Sequence, residues 1–156
     1  MEDITKNLGF VREYTLDTIQ NTEIKESRIN GFGLFATKII QENTILCILD
    51  GQVMSAKVYE NLVNQLSDKV ANFKNYFFME CNKLNIDTYL VRPYRTKYSY
   101  INHSFTPNVK IEHFPLRLIS LKNIKEGEEL TMDYTQEELS KEYLSLKSKG
   151  FLKRND

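Results

Sequence analysis

The length of the chain, 156 residues, predicts one domain with at most a short appendage, and it is large enough to bury a core without disulfides or metal. Its 21 basic and 21 acidic residues cancel, so nucleic acid is disfavoured as the main partner, because binding to it depends on neutralising phosphates. Aromatic residues are frequent, 9 Tyr and 9 Phe with no Trp, so tyrosine hydroxyls are available to line a cavity.

The first predicted strand follows an extension that carries no clear pattern. Residues 4–20 mix apolar and polar positions without a clear period, so we assign them no element, and we treat residues 1–21 as an N-terminal extension. Residues 22–27 alternate weakly, which favours a strand. Residues 28–36 then contain two glycines that flank a single residue, followed by a short apolar run.

A second β-rich segment covers residues 44–49. Its Thr, Ile, Leu and Cys side chains favour a strand, and Asp50–Gly51 after it is a typical turn pair. Asn43, immediately before it, is a residue type that tolerates the left-handed backbone found in turns. The segment therefore predicts a strand with a turn at each end.

The hydrophobic period changes at residue 55, where the clearest helix of the chain is predicted. Apolar residues recur at helical spacing from residue 55 to residue 74, with polar residues between them. These apolar residues are Val58, Leu62, Leu66, Val70 and Phe73. Short β-like runs follow at residues 75–80, 88–92, 109–112 and 116–121.

The C-terminal end predicts a last helix. Thr135-Gln-Glu-Glu138 fits a capping box that starts it. Its apolar face is formed by Leu139, Tyr143 and Leu146. Gly150 is expected to end the helix. Many short strands, one inserted helix and one terminal helix predict an α+β domain dominated by small sheets.

Three segments carry a pattern that becomes specific when they are combined. The first is Gly31-Phe-Gly33, where glycine permits close approach of the backbone to a ligand. The second is YINHSFTPN at residues 100–108, a proline-pinned loop with spare amide and carbonyl groups. The third is IKEGEELTMDY at residues 124–134, a turn and a short strand. Each segment alone is more often only a structural turn or loop.

In this order, the segments resemble the motifs of the SET-domain family of protein-lysine methyltransferases. RINGFGLFA resembles its N-terminal glycine motif, INHSFTPN its Asn-His-Ser motif, and IKEGEELTMDY its closing Gly-Glu-Glu-Leu-Thr-x-Asp-Tyr motif. The resemblance implies a SET domain at residues 22–134, with a helical insert at about 55–74, and a helical post-SET-like segment at residues 135–156. It implies the SET fold, a β-clip of small twisted sheets with a knot-like C-terminal segment.

The resemblance also implies a cofactor, S-adenosyl-L-methionine, and the residues around it. The backbone of the glycine motif would contact the methionine moiety, and the Asn-His pair would contact the amine and the adenine. Phe151 would cover the adenine, and the catalytic residue, Tyr134, would stand beside the transferring methyl group. The implied cofactor-binding residues are Asn30, Gly31, Phe32, Gly33, Tyr100, Asn102, His103 and Phe151.

Departures from the family pattern leave a second interpretation open. Many members have a tyrosine where this chain has Leu49 and an arginine where it has Ser99, and the zinc-binding cysteine clusters that flank some members are missing. These differences leave open how many methyl groups are added. They also leave open a catalytically weak or inactive SET-like module that binds a peptide.

The resemblance predicts transfer of a methyl group from S-adenosyl-L-methionine to a lysine side-chain amine in a protein or peptide substrate. A histidine side chain is an alternative methyl acceptor. A small nucleic-acid-binding protein is an alternative class of function, although only the run at residues 147–154 is basic.

Cysteine content and hydropathy predict the compartment. Cys47 and Cys81 are far apart and form no CxxC pair, and His103 and His113 do not complete a zinc-ligand spacing, so we expect no metal site. The N-terminus has no apolar leader, and no apolar run approaches the ~20 residues that span a bilayer. We expect an intracellular protein without a membrane partner, cytoplasmic if bacterial and nuclear or cytoplasmic if eukaryotic.

Overall fold

The structure, a computed structural model, describes residues 6–69, 80–137 and 147–152. The helices in these ranges are α1 (Leu8–Tyr14) and α2 (Ala56–Lys69). The strands are β1 (Thr22–Glu26), β2 (Phe32–Ala36), β3 (Ile45–Ile48), β4 (Gln52–Ser55), β5 (Glu80–Asn85), β6 (Thr88–Arg92), β7 (Asn102–His103), β8 (Val109–Glu112), β9 (Arg117–Ser120) and β10 (Glu129–Met132). Turns of 3₁₀ helix cover Lys97–Tyr100, Tyr134–Gln136 and Lys147–Leu152. Short strands with few helices confirm the predicted α+β class.

The C-terminal strand β10 brings the three sequence motifs together. Over the described ranges, the larger sheet has the order β1-β2-β10-β8-β9-β3, with β7 also paired to β10. Strand β10 runs antiparallel to β2, which carries the glycine motif, and Leu130 lies opposite Leu34. It runs parallel to β7, which carries the Asn-His pair, and Met132 lies opposite His103. Motifs that are far apart in the chain are therefore neighbours in one sheet.

The main hydrophobic core is built largely from these strands. Leu34, Leu118 and Leu130 are 0% exposed, and full burial of such a side chain contributes about 1.5–3 kcal/mol. Val11 of α1 and Ile19 pack into the same cluster. Residues of the predicted N-terminal extension are thus part of the core.

Helix α1 has no counterpart among the elements predicted from the sequence. It has seven residues, and the side chain of its N-cap, Asn7, accepts a hydrogen bond from the N–H of Phe10 at 3.0 Å. Val11 is the buried residue of this helix. Because a helix this short depends on tertiary packing and shows no repeated apolar period, sequence pattern alone does not reveal it.

Several predicted strands are confirmed with small changes at their ends. Strands β1, β6 and β8 correspond to the predictions at residues 22–27, 88–92 and 109–112. The turn before β3 places Asn43 at a φ of 61°, as its residue type predicts.

The smaller sheet has the order β4-β6-β5 among the described residues. Strand β4 is only half apolar and β5 is mainly polar or charged, so their β-structure depends on pairing with β6 more than on intrinsic preference. Helix α2 begins at Ala56, close to the predicted start. The end of the predicted helix and most of the predicted strand at 75–80 lie outside the described residues.

The C-terminal prediction is wrong in part. Where a helix is predicted to begin at Thr135, the structure has a 3₁₀ turn, Tyr134–Gln136, and the turn Lys147–Leu152 continues through Gly150. Leu152 is 5% exposed, so its burial favours continuation past the glycine. The predicted apolar face at residues 139–146 lies outside the described residues. Within the described ranges, no helix is long and apolar enough to cross a membrane.

Candidate active site

The side-chain amide of Asn102 joins the first two motifs. Its nitrogen lies 3.3 Å from the carbonyl oxygen of Asn30, 3.2 Å from that of Phe32, 2.8 Å from the Glu129 carboxylate and 3.1 Å from the Ser27 hydroxyl. An amide group has two hydrogens to donate, so these four oxygens exceed its capacity. The cluster is therefore rich in acceptors, which suits a ligand that brings N–H donors or a positive charge.

The two glycines of the first motif are required for different reasons. Gly31 has a φ of +48°, in the left-handed region that a side chain disfavours. A Cβ at Gly33 would overlap the carboxylate of Glu129, and that carboxylate accepts hydrogen bonds from the Ser27 hydroxyl at 2.8 and 2.9 Å. Glu129 was missed by the sequence analysis, although its place in the Gly-Glu-Glu-Leu-Thr motif is a signal that could have identified it.

Tyr134 connects the second and third motifs through two contacts. Its hydroxyl donates a short hydrogen bond to the carbonyl oxygen of Ile101. Its backbone N–H donates to Nδ1 of His103 at 3.1 Å. The ring is half-buried, with its centroid 5.3 Å from that of the His103 ring. The Asn-His-Ser loop and the closing tyrosine thus share one side of the molecule.

His103 carries a polar atom that has no partner among the described residues. Its side chain is 6% exposed, and Nε2 is buried without a hydrogen bond. Because Nδ1 accepts from Tyr134, a neutral imidazole carries its proton on Nε2. Ring centroids of Phe105 and Phe151 lie 4.5 and 5.8 Å from the imidazole. A buried donor among aromatic rings suits a flat ligand with a hydrogen-bond acceptor.

Asp133 fixes the turn that carries Tyr134. Its carboxylate accepts hydrogen bonds from the Thr135 N–H at 3.0 Å, the Thr135 hydroxyl at 2.7 Å and the Gln136 amide at 3.3 Å. Burial acts to raise the pKa of Asp133, but these hydrogen bonds outweigh it, so the pKa lies below its usual value. The charged carboxylate is therefore the form that caps the turn.

Tyr100 and Phe151 differ in their relation to this cluster. Tyr100 is 8% exposed and belongs to the hydrophobic core, and its hydroxyl accepts a hydrogen bond from Thr15 at 3.4 Å. Phe151 is 51% exposed beside His103. The predicted cofactor contacts of both residues stay predictions, with Phe151 at the edge of the cluster and Tyr100 beneath it in the core.

The two departures from the family pattern each have a defined environment. Leu49 is 8% exposed and packs with Leu90 and Leu116. It also lines a cavity of about 350 Å³ whose walls contain none of the predicted site residues. The hydroxyl of Ser99 donates a short hydrogen bond to the carboxylate of Glu80. Both replacement residues are therefore integrated into the fold, Leu49 by apolar packing and Ser99 by a hydrogen bond.

Curated proteins similar to this chain carry related names. A "Variant-silencing SET domain-containing protein" of Plasmodium falciparum is 27% identical over 86% of this chain, which spans 6% of that protein. A "Histone-lysine N-methyltransferase, H3 lysine-36 specific" of Mycosarcoma maydis is 27% identical over 83% of this chain and 13% of its own length. "Histone-lysine N-methyltransferase 2D" of Homo sapiens is 33% identical over 73% of this chain and 2% of its own length.

A solved structure and a family model agree on the fold. A humanized mutant of the Chaetomium thermophilum Polycomb Repressive Complex 2 contains a chain that matches with a TM-score of 0.55 and 20% identity. The match covers 84% of this chain and 16% of that chain. The family model described as "SET domain" matches residues 31–135, which include the three motifs that β10 brings together. The chain therefore has the SET fold and belongs to the SET-domain family.

Proposed function

We propose that this chain transfers a methyl group from S-adenosyl-L-methionine to a lysine side-chain amine of a protein substrate. The convergence of the Asn102 amide, the Ile101 carbonyl and the Tyr134 hydroxyl in one region carries the proposal. The histone-lysine methyltransferase names of the relatives support a protein substrate, with histones as the first class to test. An intracellular location, nuclear where the substrate is a histone, belongs to the same proposal.

The polar groups of the site fit the chemistry of this cofactor. The carbonyls of Asn30 and Phe32 and the Glu129 carboxylate suit an ammonium group, because they outnumber the hydrogens that Asn102 offers. The orphan Nε2–H of His103 suits an acceptor nitrogen of a purine. When bound, S-adenosyl-L-methionine supplies a methyl group on a positively charged sulfur.

The chain's own residues would then align the two reactants. Alignment alone supplies roughly 7–11 kcal/mol of such a barrier. The Tyr134 hydroxyl donates to the Ile101 carbonyl, and in this proposal it orients the acceptor amine. The same carbonyl oxygen can accept a weak C–H···O contact from a polarised methyl group.

The reaction needs a neutral amine, although a free lysine has a pKa near ~10.4. A positive charge at ~4 Å disfavours the ammonium by about 4 kcal/mol at an effective dielectric of ~20. Exclusion of water by half-buried aromatic rings such as Tyr134 acts in the same direction. A strong general base is therefore not required, and Tyr134 acts by orientation.

Replacing Tyr134 with phenylalanine tests this role. We expect Tyr134→Phe to lower the transfer rate about 100-fold, the loss typical of one positioned hydrogen-bonding group. Its cofactor affinity by calorimetry should stay within about threefold, because the ring remains and cofactor contacts are assigned elsewhere. The assay uses tritiated S-adenosyl-L-methionine with histones and with whole lysate of the source cell, followed by mass spectrometry.

The matched control is Tyr14→Phe, at a ring that is 62% exposed and outside the cluster. Full activity of Tyr134→Phe would remove this hydroxyl from the mechanism. If the natural chain gives no heat with S-adenosyl-L-methionine, the enzyme proposal fails and the peptide-binding module becomes the better explanation.

A further inference from the structure

A buried ion pair lies outside the candidate site, between strands of the smaller sheet. Glu80 and Arg92 are opposite each other in the β5–β6 pairing. Their side chains are 3% and 6% exposed, and Arg92 Nε donates to Glu80 Oε1 at 2.5 Å. Removing two charges from water is unfavourable unless further hydrogen bonds satisfy both groups. The other partners of the pair therefore indicate its role.

The carboxylate of Glu80 holds the 3₁₀ turn that precedes the Asn-His pair. It accepts the Thr96 N–H at 3.1 Å and the Thr96 hydroxyl at 2.8 Å, and it also accepts the Ser99 hydroxyl. Thr96 is the N-cap of the turn Lys97–Tyr100, and Ser99 lies inside it. One carboxylate thus anchors the turn at its start and near its end.

This turn leads directly to the contact that orients Tyr134. Ile101 follows the turn, and its N–H donates to the carbonyl of Tyr98 at 3.2 Å. The carbonyl oxygen of Ile101 accepts the hydroxyl of Tyr134. A continuous path therefore runs from the Glu80 carboxylate through Ser99 and Ile101 to that hydroxyl.

The guanidinium of Arg92 connects the turn between β3 and β4 to the Glu80 carboxylate. Its Nη1 donates to the carbonyl of Asp50 at 2.9 Å, and its Nη2 donates to the side-chain oxygen of Asn82. The Asn82 amide in turn donates to the Tyr98 hydroxyl at 3.1 Å. Burial raises the pKa of Tyr98 well above its usual range, so this hydroxyl stays neutral. Arg92 thereby fixes the β3–β4 turn, which begins beside Leu49, against the turn that carries Tyr98.

Stability alone does not explain why this place is charged. Apolar side chains of similar size can replace a buried ion pair without loss of stability. They would not accept the hydrogen bonds of Thr96 and Ser99, so the charged pair does what a packed apolar pair does not. Ser99 also stands where many SET members have an arginine, and here the cation beside Glu80 is Arg92 of strand β6.

We propose that Glu80 and Arg92 are positioning residues. By holding the turn Lys97–Tyr100, they fix the position of the Ile101 carbonyl oxygen and thereby the direction of the Tyr134 hydroxyl. This inference rests on the proposed methyl transfer, because that reaction gives the Tyr134 hydroxyl its task. Ser99 is the link that can be changed without breaking the ion pair itself.

The test compares Ser99→Ala, which deletes the hydroxyl, with Ser99→Thr, which keeps it. Kinetics with tritiated S-adenosyl-L-methionine should show a kcat about tenfold lower for Ser99→Ala, the effect of one lost hydrogen bond to a charged group at a positioned site. KM for the cofactor should change by less than about twofold, and Ser99→Thr should keep kcat within about threefold of the natural chain. Glu112→Gln is the control, because it alters a solvent-facing Glu–Arg pair with Arg117.

Hydrogen exchange gives a readout that does not need activity. Mass spectrometry should show faster amide exchange at residues 97–103 and 131–137 in Ser99→Ala, and natural rates in Ser99→Thr and Glu112→Gln. Equal kcat for the two Ser99 variants would overturn the proposal, and so would faster exchange with unchanged kcat. If the natural chain transfers no methyl group, the proposed function fails, but the positioning role can still be tested by hydrogen exchange. Faster exchange at residues 131–137 in Ser99→Ala would then support coupling between Ser99 and the Tyr134 turn, and unchanged exchange would overturn it.

Discussion

Two glutamates, Glu80 and Glu129, each join segments that are distant in the chain, but they do so with different partners. Glu80 is 3% exposed and is paired with a guanidinium. Glu129 is half-buried, and its carboxylate receives the Ser27 hydroxyl and the Asn102 amide. A carboxylate fully removed from water needs a cation to offset desolvation, whereas one that still meets water is satisfied by neutral donors.

This difference assigns different work to the two carboxylates. The Glu80 pair is enclosed and fully bonded, so it suits a fixed support for the turn Lys97–Tyr100. Glu129 shares its oxygens with an amide surrounded by other acceptors, so it can exchange a partner for a ligand at little cost. The comparison predicts that breaking the Glu80 pair lowers stability, that loosening the turn it holds lowers kcat, and that damage near Glu129 mainly weakens ligand binding.

The largest effect is expected when the buried pair is broken. Arg92→Leu leaves the Glu80 carboxylate buried without its cation, so we expect the free energy of unfolding to fall by about 3–5 kcal/mol. The double variant Glu80→Leu with Arg92→Leu should recover part of that loss, because no unpaired charge remains, while the donors of Thr96 and Ser99 still lack their acceptor. Urea unfolding followed by circular dichroism measures both.

Arg117→Leu is the matched control for this experiment, since its pair with Glu112 is solvent-facing and such pairs contribute little. An Arg92→Leu variant as stable as Arg117→Leu would contradict the difference drawn between enclosed and solvent-facing carboxylates.

A smaller effect on stability, but a clear effect on affinity, is expected at Gly33. Gly33→Ala places a methyl group where the Glu129 carboxylate lies, and this flexible side chain can move aside. We expect a stability loss of about 1 kcal/mol and about tenfold weaker binding of S-adenosyl-L-methionine by calorimetry, because the displaced carboxylate no longer faces the ligand. Gly9→Ala, in helix α1, is the control; equal affinities for the two variants would argue against a ligand role for Glu129.

The last effect, expected at Asp133, is confined to stability and depends on pH. Its folded-state pKa is lowered from 3.8, so the charged form stabilises the fold fully above that value, and the contribution is lost as pH falls through the lowered pKa. Asp133→Asn should therefore be less stable at pH 7 by about 1–2 kcal/mol. The difference between the two proteins should narrow in acid, as measured by urea unfolding over a pH series. A difference that stays constant from neutral to acid pH would exclude the carboxylate charge as its cause.

Local sequence was sufficient where a pattern repeats or a motif is dense. Residues 88–92 and 109–112 formed the predicted strands because their β-branched and apolar residues also meet buried faces. Helix α1 and strands β4 and β5 were not predicted from the sequence, because their stability comes from contacts with residues that are distant in the chain. The predicted stop at Gly150 failed because burial of Leu152 outweighed a local preference.

The sequence by itself determined the family and the chemical inventory, because dense motifs such as INHSFTPN and GEELTMDY specify residue types in order. Only the tertiary structure decided which of those groups meet. Strand β10, inserted between β2 and β8, brings Glu129 beneath Gly33 and Tyr134 onto Ile101. The pairing of Glu80 with Arg92 was equally invisible, because a charge acquires a specific partner only when folding removes it from water.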